Sequence, residues 1–559
     1  MAVKNKRLGD LLIDAGLITV EQLEKVLQMQ KSTGKKLGEI LIDEGFLQEG
    51  QIIEVLEFQL GIPHLDLKKY RIQTEIPRLI SERLAKRHNL IPIKKDGEKL
   101  LVAMADPLNI FAIDDVKIAT GLEITPAIAT RQNIEDAIAR YYGKESAEEA
   151  IKDFRREYDI EGIEDLENSS YTEVNNAPMV RLVNSFIKQA VKLKASDIHI
   201  EPSENNLRIR YRIDGDLQEI MTIGKSAHLA VVSRIKIIGK MDIAEKRLPQ
   251  DGRVEMIVDN KPIDMRISVL PTVFGEKVVI RLLDRSSFVL SKSQLGFTEE
   301  NLNVFEKIIK KPYGIILVTG PTGSGKTTTL YAALKELNAI NRNIVTVEDP
   351  VEYRLGGINQ VQVNNKAGLT FAAGLRAILR QDPDVIMIGE IRDSETAQIA
   401  VRASITGHLV LSTMHTNDTA STVTRLLDMG IEPYLVSSSV VGIIAQRLIK
   451  KVCDSCSYTY ISNPSEKELL GLTDDIELVK GKGCNMCNYS GYKGRQAVQE
   501  IMPVDETIRK LVDDRASIDV IRRASFNQGL TSLRENCKQL VLDGTTTVEE
   551  LIRIAYGLE

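Results

Sequence analysis

One short segment constrains the fold of this chain more than any other part of the sequence. Residues 320–327 read Gly-Pro-Thr-Gly-Ser-Gly-Lys-Thr, which fits the pattern G-x-x-x-x-G-K-[ST] throughout. The apolar run IILVT precedes the segment, and the helical pattern TTTLYAALKEL continues from its last residue. At such a strand-to-helix turn, backbone N–H groups and the helix N-terminus hold phosphate oxygens. The segment therefore predicts a binding site for a nucleoside triphosphate.

The side chains of this loop have distinct expected roles. Lys326 would neutralise charge on the β- and γ-phosphates, and the hydroxyl of Thr327 would ligate Mg²⁺. The residues predicted to bind the nucleotide are Gly320, Pro321, Thr322, Gly323, Ser324, Gly325, Lys326, Thr327 and Thr328.

The fold class follows from short apolar runs that alternate with helical patterns. The runs IILVTG, IVTVEDP, DVIMIGE and HLVLSTMH are each the length of one buried strand, and helical segments separate them. This alternation predicts an α/β domain with a parallel, doubly wound sheet. Before it, the helix VRLVNSFIKQAVKLK and the alternating segments LRIRYRIDGDLQEI and PIDMRISVL predict a separate α+β domain.

Length and charge limit the classes of function. The chain has 559 residues, enough for several domains, and a formal net charge of −5. A protein that neutralises a phosphate backbone normally carries a basic excess, so we do not expect nucleic acid as a partner. The N-terminus lacks the uninterrupted apolar core of a secretory signal, and no stretch is apolar enough to span a membrane. We therefore expect the chain in the cytoplasm.

Composition shifts divide the chain into expected domains. An acidic segment with few apolar residues is typical of a solvated linker. The predicted organisation is an α-rich N-terminal domain over 1–144, an acidic linker over 145–175, an α+β domain over 176–290 and a P-loop domain over 291–559, with a metal-binding subdomain at 450–500 and a helical end at 501–559.

Carboxylates at strand ends are the candidates for chemistry on the nucleotide. Glu390 follows the run DVIMIG, at the edge of the sheet where ligands bind. We predict that Glu390 is the catalytic base and a Mg²⁺ ligand. Glu348 and Glu352 follow the neighbouring run IVTV and could add a carboxylate on the metal side, although acidic residues at a strand end also suit an ordinary turn.

Two histidines and two arginines are less specific candidates. His408 and His415 bracket the run LVLSTM and could approach the γ-phosphate, but a lone histidine is as often structural. Arg376 and Arg380 share a helix face, where they could contact phosphate or form salt bridges.

Four of the five cysteines form two C-x-x-C pairs, Cys453 with Cys456 and Cys484 with Cys487. Two such pairs supply four thiolates for tetrahedral Zn²⁺, and a closed set of four is typical of a structural site. A redox-active C-x-x-C is the alternative. The fifth cysteine, Cys537, is predicted to be a lone buried or idle thiol.

The ordered set of motifs resembles a known family. SDIHIEP, RIRYRIDG, AEKRLPQDGR, GPTGSGKTTTLY, TVEDPVE, DVIMIGEIRD, GHLVLSTMHTND, the cysteine quartet and GYKGR resemble the secretion ATPase superfamily of GspE, PilB and PilT, and most closely its type IV pilus assembly (extension) ATPases. The resemblance implies a RecA-like ATPase core, preceded by a PAS-like N2 domain, that assembles as a homohexamer.

The resemblance also implies roles for particular residues. Glu348 and Glu352 match the family's Asp box, Glu390 its catalytic glutamate, and His408 with His415 its His box. Arg376 and Arg380 match phosphate-contacting arginines of the core domain. Arg253, Arg266 and Arg281 match N2 arginines that approach the nucleotide as arginine-finger candidates.

An internal repeat opens the chain, because the pattern beginning at Arg7 recurs from Lys36. Each copy predicts a short helix, a glycine turn and a second helix. From periodicity alone, a pair of packed helical hairpins without a ligand explains the repeat. The repeat also resembles the tandem motif of MshEN domains, which implies cyclic di-GMP binding, and Lys36 and Ile52 depart from that motif. The candidate residues are Arg7, Leu8, Gly9, Leu12, Gly16, Leu23, Leu27, Gln30, Lys36, Leu37, Gly38, Leu41, Gly45, Ile52, Leu56 and Gln59.

The resemblance implies a motor that hydrolyses ATP to power pilin polymerisation, acting on an inner-membrane platform protein alongside other cytoplasmic pilus-assembly proteins. Through these partners, the chain would be peripheral on the inner face of the cytoplasmic membrane. Two alternatives remain open, a type II secretion motor of the GspE type and a nucleic-acid translocase.

Overall fold

The computed structural model describes residues 8–33, 37–47, 61–67, 75–138, 177–284 and 291–556, with a few further residues between 50 and 73 and at 141–142. The linker predicted at 145–175 lies outside the described residues. No helix in these ranges is long and apolar enough to cross a membrane.

Short helices and a small sheet form the N-terminal part. Glycines in the left-handed region, Gly16 at φ 69° and Gly45 at φ 73°, follow the first and third helices. Leu12, Val26 and Leu41 are fully buried between the helices. The elements are α1 (Leu8–Asp14), α2 (Val20–Thr33), α3 (Leu37–Asp43), α4 (Glu82–His88), β1 (Leu90–Asp96), β2 (Lys99–Met104), α5 (Ile110–Thr120) and β3 (Glu123–Ile128), with the strands in the order β1-β2-β3.

A six-stranded antiparallel sheet, which we call the middle sheet, follows in the chain. Its order is β6-β5-β4-β9-β8-β7. Two helices bury one face, because alternate strand residues such as Ile198, Ile209 and Ile280 pack beneath them. The elements are α6 (Ala177–Lys192), β4 (Asp197–Pro202), β5 (Asn206–Ile213), β6 (Asp216–Gly224), α7 (His228–Ile238), β7 (Gln250–Val258), β8 (Lys261–Thr272) and β9 (Gly275–Asp284).

The seven-stranded C-terminal sheet carries the P-loop. Its order is β12-β11-β13-β14-β10-β15-β18, and all neighbouring strands run parallel except β15 and β18. Buried residues on both faces form two apolar layers, as a doubly wound sheet requires. The predicted parallel sheet is thus confirmed, with an antiparallel edge strand that the motif pattern did not predict.

The strands of this part are β10 (Gly314–Thr319), β11 (Ile344–Glu348), β12 (Asn359–Gln362), β13 (Val385–Ile388), β14 (Leu409–Met414), β15 (Val440–Val452), β16 (Ser457–Ile461), β17 (Glu477–Gly481) and β18 (Tyr492–Pro503). β16 and β17 form a separate two-stranded sheet. The helices are α8 (Glu299–Ile309), α9 (Lys326–Leu337), α10 (Phe371–Ile378), α11 (Ser394–Ile405), α12 (Thr419–Asp428), α13 (Pro433–Ser439), α14 (Pro464–Leu470), α15 (Glu506–Asp513), α16 (Ile518–Asn527), α17 (Leu533–Leu542) and α18 (Val548–Tyr556).

Polar contacts join the middle sheet to the C-terminal domain. The turn between β5 and β6 lies against the N-terminal end of β18, where Asp214 Oδ2 accepts a hydrogen bond at 2.8 Å from the amide of Gly494. Lys450 Nζ lies 2.7 Å from Asp216 Oδ2. At a second place, Arg266 of β8 lies 2.6 Å from a carboxylate oxygen of Glu352, just after β11. The two parts are therefore bridged by charged groups at two separate sites.

Candidate nucleotide-binding site

The P-loop connects β10 to α9 and has the backbone that its glycines predict. Gly320, Gly323 and Gly325 have φ values of 147°, 81° and 87°, in the region that other residues rarely adopt. The ammonium group of Lys326 donates to the carbonyl oxygens of Gly320, at 2.8 Å, and Pro321, at 3.0 Å. Thr327 lies exposed in the first turn of α9. The loop thus places a lysine, a hydroxyl and a helix N-terminus at one edge of the sheet.

The electrostatic surroundings of Lys326 shift its proton affinity. Burial lowers the pKa of Lys326 to about 8, Glu390 opposes this shift, and the guanidinium of Arg447 adds to it. Both side chains therefore act electrostatically on the P-loop lysine.

Glu390 follows β13 at the same edge and lies between two basic side chains. Its carboxylate oxygens lie 2.6 Å from Arg392 Nη2 and 3.4 Å from His415 Nε2. The Glu390 side chain is 13% exposed, whereas those of Arg392 and His415 are 70% and 48% exposed. The structure therefore brings together Glu390, His415 and the P-loop. Arg392 is part of the motif DVIMIGEIRD, but the sequence analysis assigned it no role.

Glu348 faces the protein interior. Only 3% of Glu348 is exposed, and its carboxylate accepts hydrogen bonds from Tyr331, Thr346 and Gln360. These bonds engage both oxygens, so Glu348 anchors the loop after β11 and does not present a free carboxylate to a nucleotide. The described contacts give Glu348 an anchoring role, and its direct catalytic role stays a prediction.

Glu352 and the three arginine-finger candidates differ in position. Arg266 crosses to Glu352, as described above. Arg253 instead makes a two-pronged hydrogen bond to the buried Asp264 of its own sheet, at 3.0 and 2.6 Å. Arg281 pairs with Asp197, also in its own sheet, at 3.1 Å. Of the three candidates, Arg266 is the one that reaches the P-loop domain here.

A cleft of about 620 Å³ lies between the middle sheet and the loop after β11. Arg253 and Lys240 line one wall, and Glu352, Arg354 and Gln362 line the other. Arg253, one of the arginine-finger candidates, thus faces Glu352 and Arg354 across this cleft.

Three predicted site residues lie elsewhere. His408 precedes β14 whereas His415 follows it, and His408 Nδ1 donates to the carbonyl of Ala403 at 2.8 Å. A six-residue strand separates the two histidines, about 20 Å at the usual rise, so they lie at opposite edges of the sheet, and a role for His408 at the nucleotide stays a prediction. Arg376 pairs with Glu395, and Arg380 donates to the carbonyl of Arg376 at 2.9 Å. In the described chain these arginines have salt-bridge and helix-capping contacts rather than contacts with the P-loop.

Sequence reasoning missed a second basic residue beside the loop. Arg447 of β15 donates to the carbonyl of Gln446 at 3.2 Å and to Asn417 at 3.1 Å. Burial lowers its pKa, and Asp418 and Glu500 oppose the shift. A Cβ at Gly320 would lie 3.2 Å from its guanidinium. Arg447 occurs in the segment AQRL, but its closeness to the P-loop depends on the strand order, which the sequence pattern does not give.

The four predicted metal ligands come together. Cys453, Cys456, Cys484 and Cys487 place their sulfur atoms within 4.8 Å of one another. The distances between sulfurs of Cys453 and Cys484 and of Cys456 and Cys487 are 3.9 and 3.8 Å. Tetrahedral coordination with Zn–S bonds of about 2.3 Å requires about 3.8 Å between sulfurs. The cluster is therefore compatible with zinc.

The repeat residues lie only partly within the described ranges. Arg7, Lys36, Ile52, Leu56 and Gln59 fall outside them. Gly9 allows α1 to approach α2, since a Cβ there would lie 2.8 Å from Leu23. Leu27 is 41% exposed. The described repeat residues thus include buried packing positions and at least one exposed apolar side chain.

Comparison with known protein families assigns this chain to a family. The family model described as Type II/IV secretion system protein matches residues 172–553, which include the middle sheet, the P-loop and the cysteine cluster. The chain belongs to the type II/IV secretion ATPase family. A second model, the MshEN domain, matches residues 60–148, which follow the repeat. The chain is therefore an ATPase with an MshEN domain before its secretion ATPase region.

Individual relatives agree with this assignment. The chain is 44% identical to the type IV pilus assembly ATPase PilB of Myxococcus xanthus over 98% of both chains. It is also 44% identical to PilB of Thermus thermophilus, covering 88% of this chain and 56% of that one. A type II secretion system protein E of Xanthomonas campestris is 44% identical over 89% of this chain and 88% of its own.

The solved structure of the Legionella pneumophila ATPase DotB matches with a TM-score of 0.51 at 21% identity, covering 67% of this chain and 95% of that one. At this identity the likeness concerns the fold. It supports the RecA-like assignment of the secretion ATPase region.

Proposed function

We propose that this secretion ATPase is the motor that powers type IV pilus extension. The observation that carries the proposal is the 44% identity to a pilus assembly ATPase over 98% of both chains. The motor would work as a homohexamer on the cytoplasmic face of the inner membrane. It would act through a platform protein and other cytoplasmic pilus-assembly proteins, without nucleic acid.

The geometry supports a separate role for each site residue in ATP hydrolysis. Thr327 and Glu390 would hold Mg²⁺, and Lys326 would bind the β- and γ-phosphates of ATP. Glu390 would activate the attacking water, with His415 beside it on the γ-phosphate side. Arg266 would couple the middle sheet to this chemistry, because it already contacts Glu352 across the cleft.

The proposal includes two further ligands, a structural Zn²⁺ ion and cyclic di-GMP. The four cysteines would hold a structural Zn²⁺, for which their sulfur spacing is suited. The MshEN domain supports cyclic di-GMP as an effector. Calorimetry of the full chain with cyclic di-GMP should show binding at micromolar ligand. The absence of heat at high micromolar ligand would refute the proposal that cyclic di-GMP is an effector.

The first test is steady-state ATP hydrolysis by the wild type and by Glu390→Gln, with oligomer size measured in parallel. The wild type should hydrolyse ATP as a hexamer, whereas the variant should bind nucleotide and hydrolyse it at least a hundredfold more slowly. Hydrolysis by the variant at the wild-type rate would refute the assignment of Glu390 and direct the search to the carboxylates at and just after the end of β11, Glu348, Asp349 and Glu352.

The type II secretion motor is the second candidate, because a type II secretion protein E is equally identical over 89% of this chain. Deletion of the gene separates the two functions. Loss of surface pili with intact exoprotein secretion supports the pilus motor, and the reverse supports the secretion motor. A third candidate, a nucleic-acid translocase, requires that DNA stimulate hydrolysis.

A further inference from the structure

Strand β15 continues alongside the P-loop after β10 has ended. The two strands pair in parallel up to Thr319 and Ala445. Gln446, the next residue of β15, is therefore level with Gly320, the first residue of the loop. Close approach is possible because position 320 is a glycine, since a Cβ there would lie 2.4 Å from the Gln446 carbonyl oxygen.

The side chain of Gln446 binds the loop on both sides of the α9 start. Its Nε2 donates to the carbonyl oxygen of Ser324 at 2.7 Å. Its Oε1 accepts from the hydroxyl of Thr329, in the first turns of α9, at 2.7 Å. Gly325 leaves room for the amide, because a Cβ there would lie 2.9 Å from Nε2. One amide thus joins the loop to its helix.

These contacts are buried. Gln446 is 1% exposed, Ser324 3% and Thr329 fully buried, so water cannot replace the lost bonds without rearrangement. The hydroxyl of Ser324 is itself buried and makes no hydrogen bond within the described chain. Among the described contacts, the bond from Gln446 is therefore the side-chain bond that fixes the Ser324 peptide.

We propose that Gln446 is a positioning residue for nucleotide binding, which fixes the direction in which the P-loop presents its backbone N–H groups. This inference rests on the proposed nucleotide site and adds a residue outside the G-x-x-x-x-G-K-[ST] segment. A phosphate cradle depends on the convergence of several N–H groups. Loss of the Gln446 amide releases the loop at its centre and weakens binding of the phosphates of ADP and ATP alike.

The chain offers a matched control in Gln499. Gln499 lies directly opposite Gln446 on β18 and is similarly buried, at 2% exposed. Its side-chain amide donates to the carbonyl of Leu295 at 2.9 Å, away from the P-loop. Gln499→Leu therefore removes a comparable buried bond from the same pair of strands and leaves the loop intact.

The test compares Gln446→Leu with Gln499→Leu in the full chain. Affinity for a fluorescent ADP and the thermal midpoint without nucleotide are measured for each. We expect both variants to lose thermal stability, but only Gln446→Leu to bind ADP about tenfold more weakly, the effect of one to two buried hydrogen bonds. Unchanged affinity in Gln446→Leu, or an equal loss in Gln499→Leu, overturns the proposal.

A second variant covers the case in which Gln446→Leu does not fold. Thr329→Val removes one of the two bonds to Gln446 and keeps the shape of the side chain. A severalfold weaker affinity for ADP supports the positioning role, and wild-type affinity contradicts it. If the wild type itself binds no ADP, it is the proposed nucleotide site that fails.

Discussion

The lowered pKa of Lys326 predicts how nucleotide affinity depends on pH. With a pKa of about 8, the ammonium form is dominant at pH 7 and is the minor form at pH 9. The phosphates of a bound nucleotide stabilise the charged form, so binding raises the pKa and the protonated protein binds more tightly. Affinity should therefore be nearly constant below about pH 7, reach half its maximum near pH 8 and fall further as the pH rises. Between pH 7 and pH 9, the protonated fraction and the affinity should fall about tenfold.

Neighbouring charges give this prediction two controls with opposite signs. Glu390 raises the pKa of Lys326 and Arg447 lowers it. Glu390→Gln should consequently move the midpoint of the affinity profile to lower pH, and Arg447→Gln should move it to higher pH.

The assay is titration of fluorescent ADP and Mg²⁺ between pH 7 and 9.5, a range in which the phosphates of ADP are already ionised. An affinity that stays constant across this range would refute the lowered pKa. Shifts of the same sign in the two variants would refute the electrostatic explanation.

Three further predictions concern the ion pairs and the cysteines. Arg392→Gln removes the cation 2.6 Å from Glu390 and should lower kcat severalfold, because the pair holds the Glu390 carboxylate in place; an unchanged kcat contradicts a role for the pair. Arg266→Ala and Glu352→Ala should be coupled by about 1 kcal/mol in a double-mutant cycle on kcat, as expected for a partly buried pair, whereas additive effects mean that the contact does not serve catalysis. Cys484→Ser should lower the zinc content below one ion per chain, whereas Cys537→Ala, which removes a fully buried thiol outside the cluster, should leave it unchanged; equal zinc in both variants contradicts the site.

Local patterns predicted the parts of the site that lie within one segment. The P-loop, Glu390 and the cysteine pairs each depend on residues close in sequence, so spacing and neighbouring apolar runs were sufficient to predict their positions in the fold, while their roles stay predictions. The motif grouped His408 with His415 because a motif gives residue order without strand direction, whereas the two ends of β14 lie at opposite edges of the sheet. Strand direction, once predicted, could have separated His408 from His415.

Contacts between distant segments could not be predicted from patterns. Gln446 reaches Ser324 because β15 is the neighbour of β10, and the sequence alone does not give the order of strands. The pair formed by Arg266 and Glu352 depends on how the middle sheet lies against the C-terminal domain. The direction of the Glu348 side chain could not be predicted either. A carboxylate at a strand end can face solvent or the interior, and here it accepts hydrogen bonds from Tyr331 and Gln360.

The polar contacts between the middle sheet and the C-terminal domain have a thermal consequence. The described core of the middle sheet draws its residues from 179–282, whereas the two cores of the C-terminal sheet draw theirs from 297–530. Relative movement of the two parts therefore changes little apolar surface, and its heat-capacity change is small. The enthalpy of such a movement should therefore vary little with temperature, and its equilibrium should respond to ionic strength, because salt screens the charged pairs that bridge the two parts.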